Sequence, residues 1–96
     1  MKSLYEWDED KAKENLRKHK VDFKEAETVF DDPLSITVSD PNHSEEEERF
    51  IDIGISKKRR VLAVVYTERR KKIRIISARE ATRAERKKYY EEENTP

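Results

Sequence analysis

A chain of 96 residues with 33% hydrophobic and 46% charged side chains is a single domain, 1–96, with a small core, since folding at this size buries only about 60 to 65% of the surface of the unfolded chain. The absence of cysteine excludes disulfides and thiolate metal sites and fits a cytoplasmic protein, and the longest uncharged apolar stretch, 61–67, is too short for a membrane span or a signal peptide. A formal net charge of +0 conceals sorted charge: residues 1–56 are net −8, residues 57–88 net +11 and residues 89–96 net −3. Such asymmetry points to one polyanionic partner such as RNA and a second partner that masks a basic face.

Leu4, Tyr5 and Trp7 form a short apolar opening, read as a strand, that ends at Asp8, a good helix N-cap. Ala12, Leu16 and His19 recur at helical spacing, so the first helix turns this stripe inward and stops near Lys20. Phe23, Ala26, Val29 and Phe30 repeat the pattern as a second helix, closed by Asp31, Asp32 and Pro33 because proline biases its predecessor away from helical angles. From Leu34 the period changes to two, with Leu34, Ile36 and Val38 on one face of a strand, and 40–48 is a polar loop. Strands over 49–55, 61–66 and 73–78 follow, joined by connections short enough for hairpins. The stretch 61–66 is apolar at both parities, as a central strand requires. After Arg79 the chain is helical again to about Glu92, before a frayed end at Asn94, Thr95 and Pro96. The expected fold class is α+β: an antiparallel sheet of four to five strands with two N-terminal helices and one C-terminal helix.

Arg79, Arg83, Arg86 and Tyr90 are spaced by four, three and four residues and would share one face of that last helix. Like charges so placed destabilise an isolated helix by about 0.2 to 0.5 kcal/mol per pair, so the row is either a solvated basic face partly balanced by Glu80 and Glu85 or a track for a phosphate or carboxylate. The track would extend through Arg74 and Arg49 on the sheet and Arg69, Arg70, Lys71 and Lys72 at a hairpin tip, with Tyr66, Tyr89 and Tyr90 nearby. Aromatic rings beside cations suit single-stranded nucleic acid.

His19 and His43 lack ligand-like spacing, consecutive acids such as Glu45 to Glu48 are ordinarily just solvated, and no metal or other cofactor is expected. With Gly54 as the only glycine a phosphate-binding Gly-rich loop is excluded. Metal-free RNA cleavage remains: a 2′-hydroxyl attacks the adjacent phosphate, which requires a proton acceptor, a proton donor and cations for the added charge. His19 is a candidate by its ordinary pKa, although its apolar stripe favours a buried structural role. Glu68, Glu85 and the tyrosines are the other proton carriers, and spacing does not rank them.

Several segments together resemble one family. Tyr5-Glu6-Trp7-Asp8-Glu9, the run from Asn15 through Lys18, His19 and Lys20 to Phe23 with Glu25-Ala26, the segment 49–54, and Val65-Tyr66-Thr67-Glu68-Arg69 followed by Arg74-Ile75-Ile76-Ser77-Ala78-Arg79, Ala81, Arg83, Glu85, Arg86 and Tyr89 resemble the BrnT family of bacterial toxins. The likeness covers nearly the whole chain; one departure is Lys20, where the family usually has glycine. The resemblance implies a RelE-like ribonuclease fold and a type II toxin that cuts RNA and arrests translation. It also implies a BrnA-type ribbon-helix-helix antitoxin, assembled with the toxin as a heterotetramer that binds operator DNA through the antitoxin. Carried onto matched positions, it points to His19, Arg49, Glu68, Arg79 and Arg83 for catalysis and to Lys18, Arg69 and Arg74 for RNA binding. The basic surface read from the residues adds Arg70, Lys71, Lys72, Arg86 and Tyr90 to the RNA-binding set. The alternative is a non-enzymatic module whose basic face binds RNA or an acidic protein.

Overall fold

The computed structural model describes residues 4–40 and 47–93, leaving His43, Glu45, Glu46 and the tail 94–96 outside the described residues. Strand β1 (Tyr5–Glu6) leads into helix α1 (Glu9–His19), then α2 (Phe23–Glu27) and a 3₁₀ turn, Thr28–Asp31. Strands β2 (Ile36–Ser39), β3 (Phe50–Ile55), β4 (Val61–Arg69) and β5 (Lys72–Glu80) precede helix α3 (Arg83–Glu93).

The strands form one sheet in the order β1-β5-β4-β3-β2. The expected antiparallel sheet holds for β2 to β5, but the sheet is mixed, because β1 lies parallel to β5 with Tyr5 beside Ile73 and Glu6 beside Arg74. A parallel partner needs a long crossover; everything between β1 and β5 supplies it, which no local pattern in the sequence reveals.

One sheet face carries α1 and α2. There Leu62, Val64, Ile75 and Ala78 bury against Val21, Phe23, Ala26 and Val29, with Trp7, Ala12, Phe30 and Ile73 at the margin. Fully burying each of the Val, Leu, Ile and Phe side chains among them stabilises by about 1.5 to 3 kcal/mol. The other face is covered at one end by α3, where Tyr89 packs on Ile53, Val61 and Ala63. Towards the β4–β5 hairpin that face is open.

Local chemistry explains where elements begin and end. Asp8 caps α1 by accepting from Asp10 and Lys11 N–H, and Asp22 caps α2 through Lys24 N–H. Lys20 closes α1 in the left-handed region at φ 59°, a conformation that glycine adopts without strain. A Cβ at Gly54 would come within 2.9 Å of Ser35 Cβ and 3.1 Å of Val29 Cγ1, so only glycine lets β3 lie this close to the 3₁₀ turn.

The expected inward stripe of α1 is corrected. Leu16 is 48% exposed and His19 is exposed, whereas Asn15 is buried. Asn15 Oδ1 accepts from Ala78 N–H at 3.0 Å while its Nδ2 donates to Ala78 O at 2.8 Å and Val21 O at 2.9 Å. The amide thus stands in for a strand along β5 beyond the end of β1, and satisfying those buried backbone groups outweighs burying Leu16.

Two further boundaries differ from expectation. The second helix ends at Glu27 and tightens into the 3₁₀ turn, and β2 starts at Ile36, leaving Leu34 exposed. Strand β5 runs on to Glu80, so Arg79 belongs to the sheet and not to the last helix.

A buried ion pair ties the two layers together. Glu25, 1% exposed, accepts from Ser56 Oγ at 2.6 Å and from Arg60 Nε at 3.0 Å, and Arg60 Nη2 also donates to Lys20 O at 3.0 Å. Burial pushes the Glu25 carboxyl up, but hydrogen bonds from Arg60 and Ser56 prevail and hold it below the usual range.

Candidate RNA-facing site

Register places the cations. Arg74 pairs with Thr67 and Arg79 with Ala63 across the β4–β5 ladder. Thr67 and Ala63 are four residues apart on β4 and share a face, so Arg74 and Arg79 share it too. Five residues, an odd number, would ordinarily put them on opposite faces. The ladder steps from Val65↔Ser77 to Tyr66↔Ile75, skipping Ile76, and this bulge re-phases the strand. Continuing the β3–β4 register one residue past Phe50↔Tyr66 sets Arg49 beside Thr67, whose Oγ1 donates to Glu48 O at 2.7 Å. Arg49, Arg74 and Arg79 therefore stand on the open face, each about one-third exposed.

Each is held by a carboxylate. Arg49 Nε lies 3.4 Å from Glu47 Oε2 and Arg74 Nη1 3.0 Å from Glu6 Oε2. Arg79 grips Glu85 with both arms, Nη1 to Oε1 at 2.7 Å and Nη2 to Oε2 at 3.0 Å. Glu85 also closes a capping box at the start of α3: its Oε1 accepts from Thr82 N–H at 2.8 Å, and Thr82 Oγ1 accepts from Glu85 N–H at 3.1 Å. The Arg79 fork, first among the causes, holds the Glu85 carboxyl below its ordinary range despite partial burial.

The expected row on the last helix is accordingly broken up. Arg79 sits on β5, Arg83 and Arg86 lie exposed on α3, and Tyr90 is 44% exposed on the same helix. What compensates Arg79 is an internal acid, Glu85, and the like-charge argument from helical spacing falls away.

Other candidates are sorted by the same topology. Arg69 and Lys72 pair at the end of the ladder, and Arg70 and Lys71 form the tip with φ of 50° and 68°. Both tip residues adopt the left-handed region that suits a two-residue hairpin. Lys18 and His19 line a cavity of about 180 Å³ with Lys11, Glu14, Asn15, Ile76 and Ser77. They thus flank the β5 segment between Arg74 and Arg79, approaching from the sheet edge. The structural role favoured for His19 does not hold, because it is exposed.

Glu68 pairs with Ile73, whose side chain packs in the core under α1 and α2, so Glu68 is directed to the opposite face and is not brought together with the arginines. Tyr66 is on that opposite face as well, packed against Phe30 and Phe50 at ring-centroid distances of 5.0 and 5.6 Å. Burial and then the Asp52 carboxylate push its phenol up to about 12, beyond proton transfer at neutral pH. Tyr89 is buried and donates to Asp32 Oδ2 at 2.7 Å. Of the three tyrosines expected beside the cations, Tyr90 alone is exposed. Among the described residues no three His, Asp or Glu side chains gather as metal ligands, and no helix is long and apolar enough to cross a membrane.

Fold and site define a small α+β domain with two helices on one sheet face and, on the other, arginines from two segments of chain partly exposed beyond a capping helix. A family model for the ribonuclease toxin BrnT of type II toxin-antitoxin systems matches residues 7–85. The chain belongs to the BrnT family. Among solved structures it is similar to the Brucella abortus ribonuclease toxin BrnT, with a TM-score of 0.61 and 24% identity over 84% of this chain and 100% of that one. A search of curated proteins finds no match.

Proposed function

We propose that this chain is a metal-independent endoribonuclease that cleaves RNA in the cytoplasm and so inhibits translation, with a RelE-like arrangement of its site. A BrnA-type antitoxin neutralises it by covering the arginine face, in a heterotetramer that binds operator DNA through the antitoxin. The observation that carries this reading is the bulge at Ile76, which sets Arg74 and Arg79 on the same open face as Arg49. Cleavage by 2′-hydroxyl attack adds negative charge to the scissile phosphate, and preorganised guanidinium groups stabilise it where water is partly excluded. In this reading Arg79 holds the scissile phosphate, and Arg74 and Arg49 hold its neighbours. Arg83, Arg86, Lys18 and the tip residues Arg69 to Lys72 guide the backbone, and Tyr90 stacks on a base. His19, at the β5 edge, is the candidate proton donor, and Glu68 has no part because of the face it occupies.

The test uses the purified chain with EDTA and single-stranded RNA. Cleavage is expected, and Arg74→Ala should slow it at least tenfold, a loss of roughly 1.4 kcal/mol of transition-state stabilisation. A wild-type chain that binds RNA with steep salt dependence yet neither cuts it nor arrests growth would replace this reading with a binding module.

A further inference from the structure

With Glu68 on the wrong face and Tyr66 and Tyr89 buried, the proposed ribonuclease lacks a proton acceptor. Five described acids neighbour the arginines: Glu6, Asp8, Glu47, Asp40 and Glu85; Asp8, which adds to the field at Arg74, is engaged in capping α1. Glu6 and Glu47 each meet one arginine nitrogen at 3.0 and 3.4 Å and are one-third exposed. Asp40, beyond the end of β2, adds to the field at Arg79. Glu85 differs from these in being fixed on two sides, by the Arg79 fork from β5 and by Thr82 N–H at the head of its own helix. Its side chain still keeps 21% of its exposure, so the carboxylate is both oriented and reachable.

We infer that Glu85 is the general base of this site, taking the 2′-hydroxyl proton of an RNA whose scissile phosphate rests on Arg79. This rests on the ribonuclease reading above. A guanidinium has five N–H donors; the Glu85 fork uses two, and others remain for a phosphate oxygen. One rigid planar group then holds base and electrophile side by side, the geometry that turns proximity into rate. The O2′–H proton passes to Glu85 Oε2 as the O2′–P bond forms. The P–O5′ bond breaks, and the leaving 5′-oxygen takes a proton from His19. The products are a 2′,3′-cyclic phosphate and a 5′-hydroxyl, and exchange with solvent carries the proton away from Glu85 and returns one to His19.

Arg79 on β5 is the charged group facing Glu85 from the sheet, Asp40 adds to the field at Arg79, and Arg83 and Arg86 flank Glu85 along α3. The experiment measures single-turnover cleavage against pH for the wild type and Glu85→Gln, together with RNA affinity and circular dichroism. Glutamine retains the capping-box oxygen but cannot accept the proton. Expected is a loss of at least about a hundredfold in cleavage rate, the usual range for removing a general base, with RNA affinity within about threefold and the acid limb of the profile abolished. A Glu85→Gln protein that cuts RNA at the wild-type rate, or loses rate and RNA affinity in parallel, overturns the assignment. Should that variant not fold, the wild-type profile decides: a one-proton acid limb below the ordinary glutamate range, with unchanged circular dichroism, is required, and its absence overturns the assignment. A wild type that cuts no RNA sinks the ribonuclease reading itself, whereas cutting that ignores Glu85 sinks this inference alone.

Discussion

Arg74 and Arg79 face the same way from β5 although five positions separate them, because Ile76 is left out of the ladder between them. Measured along the partner strand they are four residues apart, from Thr67 to Ala63, or about 13 Å at the rise of an antiparallel strand. On the proposed reading, arginines whose strand positions lie that far apart contact two different phosphates of an extended single strand. The salt dependence of RNA binding reports the pair: Arg74→Ala and Arg79→Ala should each lower the slope of log affinity against log salt by about 0.7, the single-strand value per phosphate contact. Glu68→Gln, on the opposite face, should leave slope and cleavage unchanged. An unchanged slope in Arg74→Ala would remove that residue from the RNA path.

Glu6 pairs with Arg74, and on the proposed reading an RNA phosphate competes with it for that guanidinium. The pair is one-third exposed at both ends, so its contribution to folding is small, within about 1 kcal/mol. Glu6→Gln should therefore leave thermal stability nearly unchanged and tighten RNA binding about threefold, equivalent to roughly 0.6 kcal/mol. Equilibrium binding at low salt checks it, and weaker binding would show that Glu6 positions Arg74 instead of masking it.

Asn15 is a structural lock on the β5 edge. Asn15→Ala strands the N–H and C=O of buried Ala78, each orphan group costing about 1 to 3 kcal/mol. Urea denaturation should show a loss of at least 2 kcal/mol, and Asn15→Leu should fare no better despite its larger apolar side chain.

Two buried carboxylates give stability opposite pH dependences. Glu25 has a lowered folded pKa, so its contribution is full above the ordinary glutamate range and disappears as pH falls through the lowered value. Asp52 is the reverse: burial, partly offset by hydrogen bonds from Thr37 and Tyr66, raises its folded pKa. Its ionisation therefore destabilises the fold as pH rises through the raised value. Asp52→Asn should raise the melting temperature near pH 7, with the gain vanishing at acid pH. Glu25→Gln should lower it near pH 7, with the loss shrinking below the ordinary glutamate range. Thermal melts across pH 3 to 8 distinguish the two signs.

The α+β class, the four antiparallel strands, the helix cap at Asp8 and the basic second half were all legible, because alternation, helical periodicity, capping chemistry and charge are local properties of a chain. So was the candidacy of Arg49, Arg74 and Arg79 as a set. What tertiary structure decided is where they point. Pure alternation cannot show a bulge, and a strand of nine residues that ends in Arg79-Glu80 reads like a helix start when it is followed by Ala81, Thr82 and a true capping box. The parallel β1, the burial of polar Asn15 in place of Leu16, and the turn of Glu68 and Tyr66 away from the arginines depend on partners more than forty residues distant for β1 and Asn15, and on strand register for the others. The sequence determined how much positive charge this protein carries and on which stretch of chain. Packing and register, which answer to backbone groups that must be paired when buried, determined which of those charges share a face with Glu85.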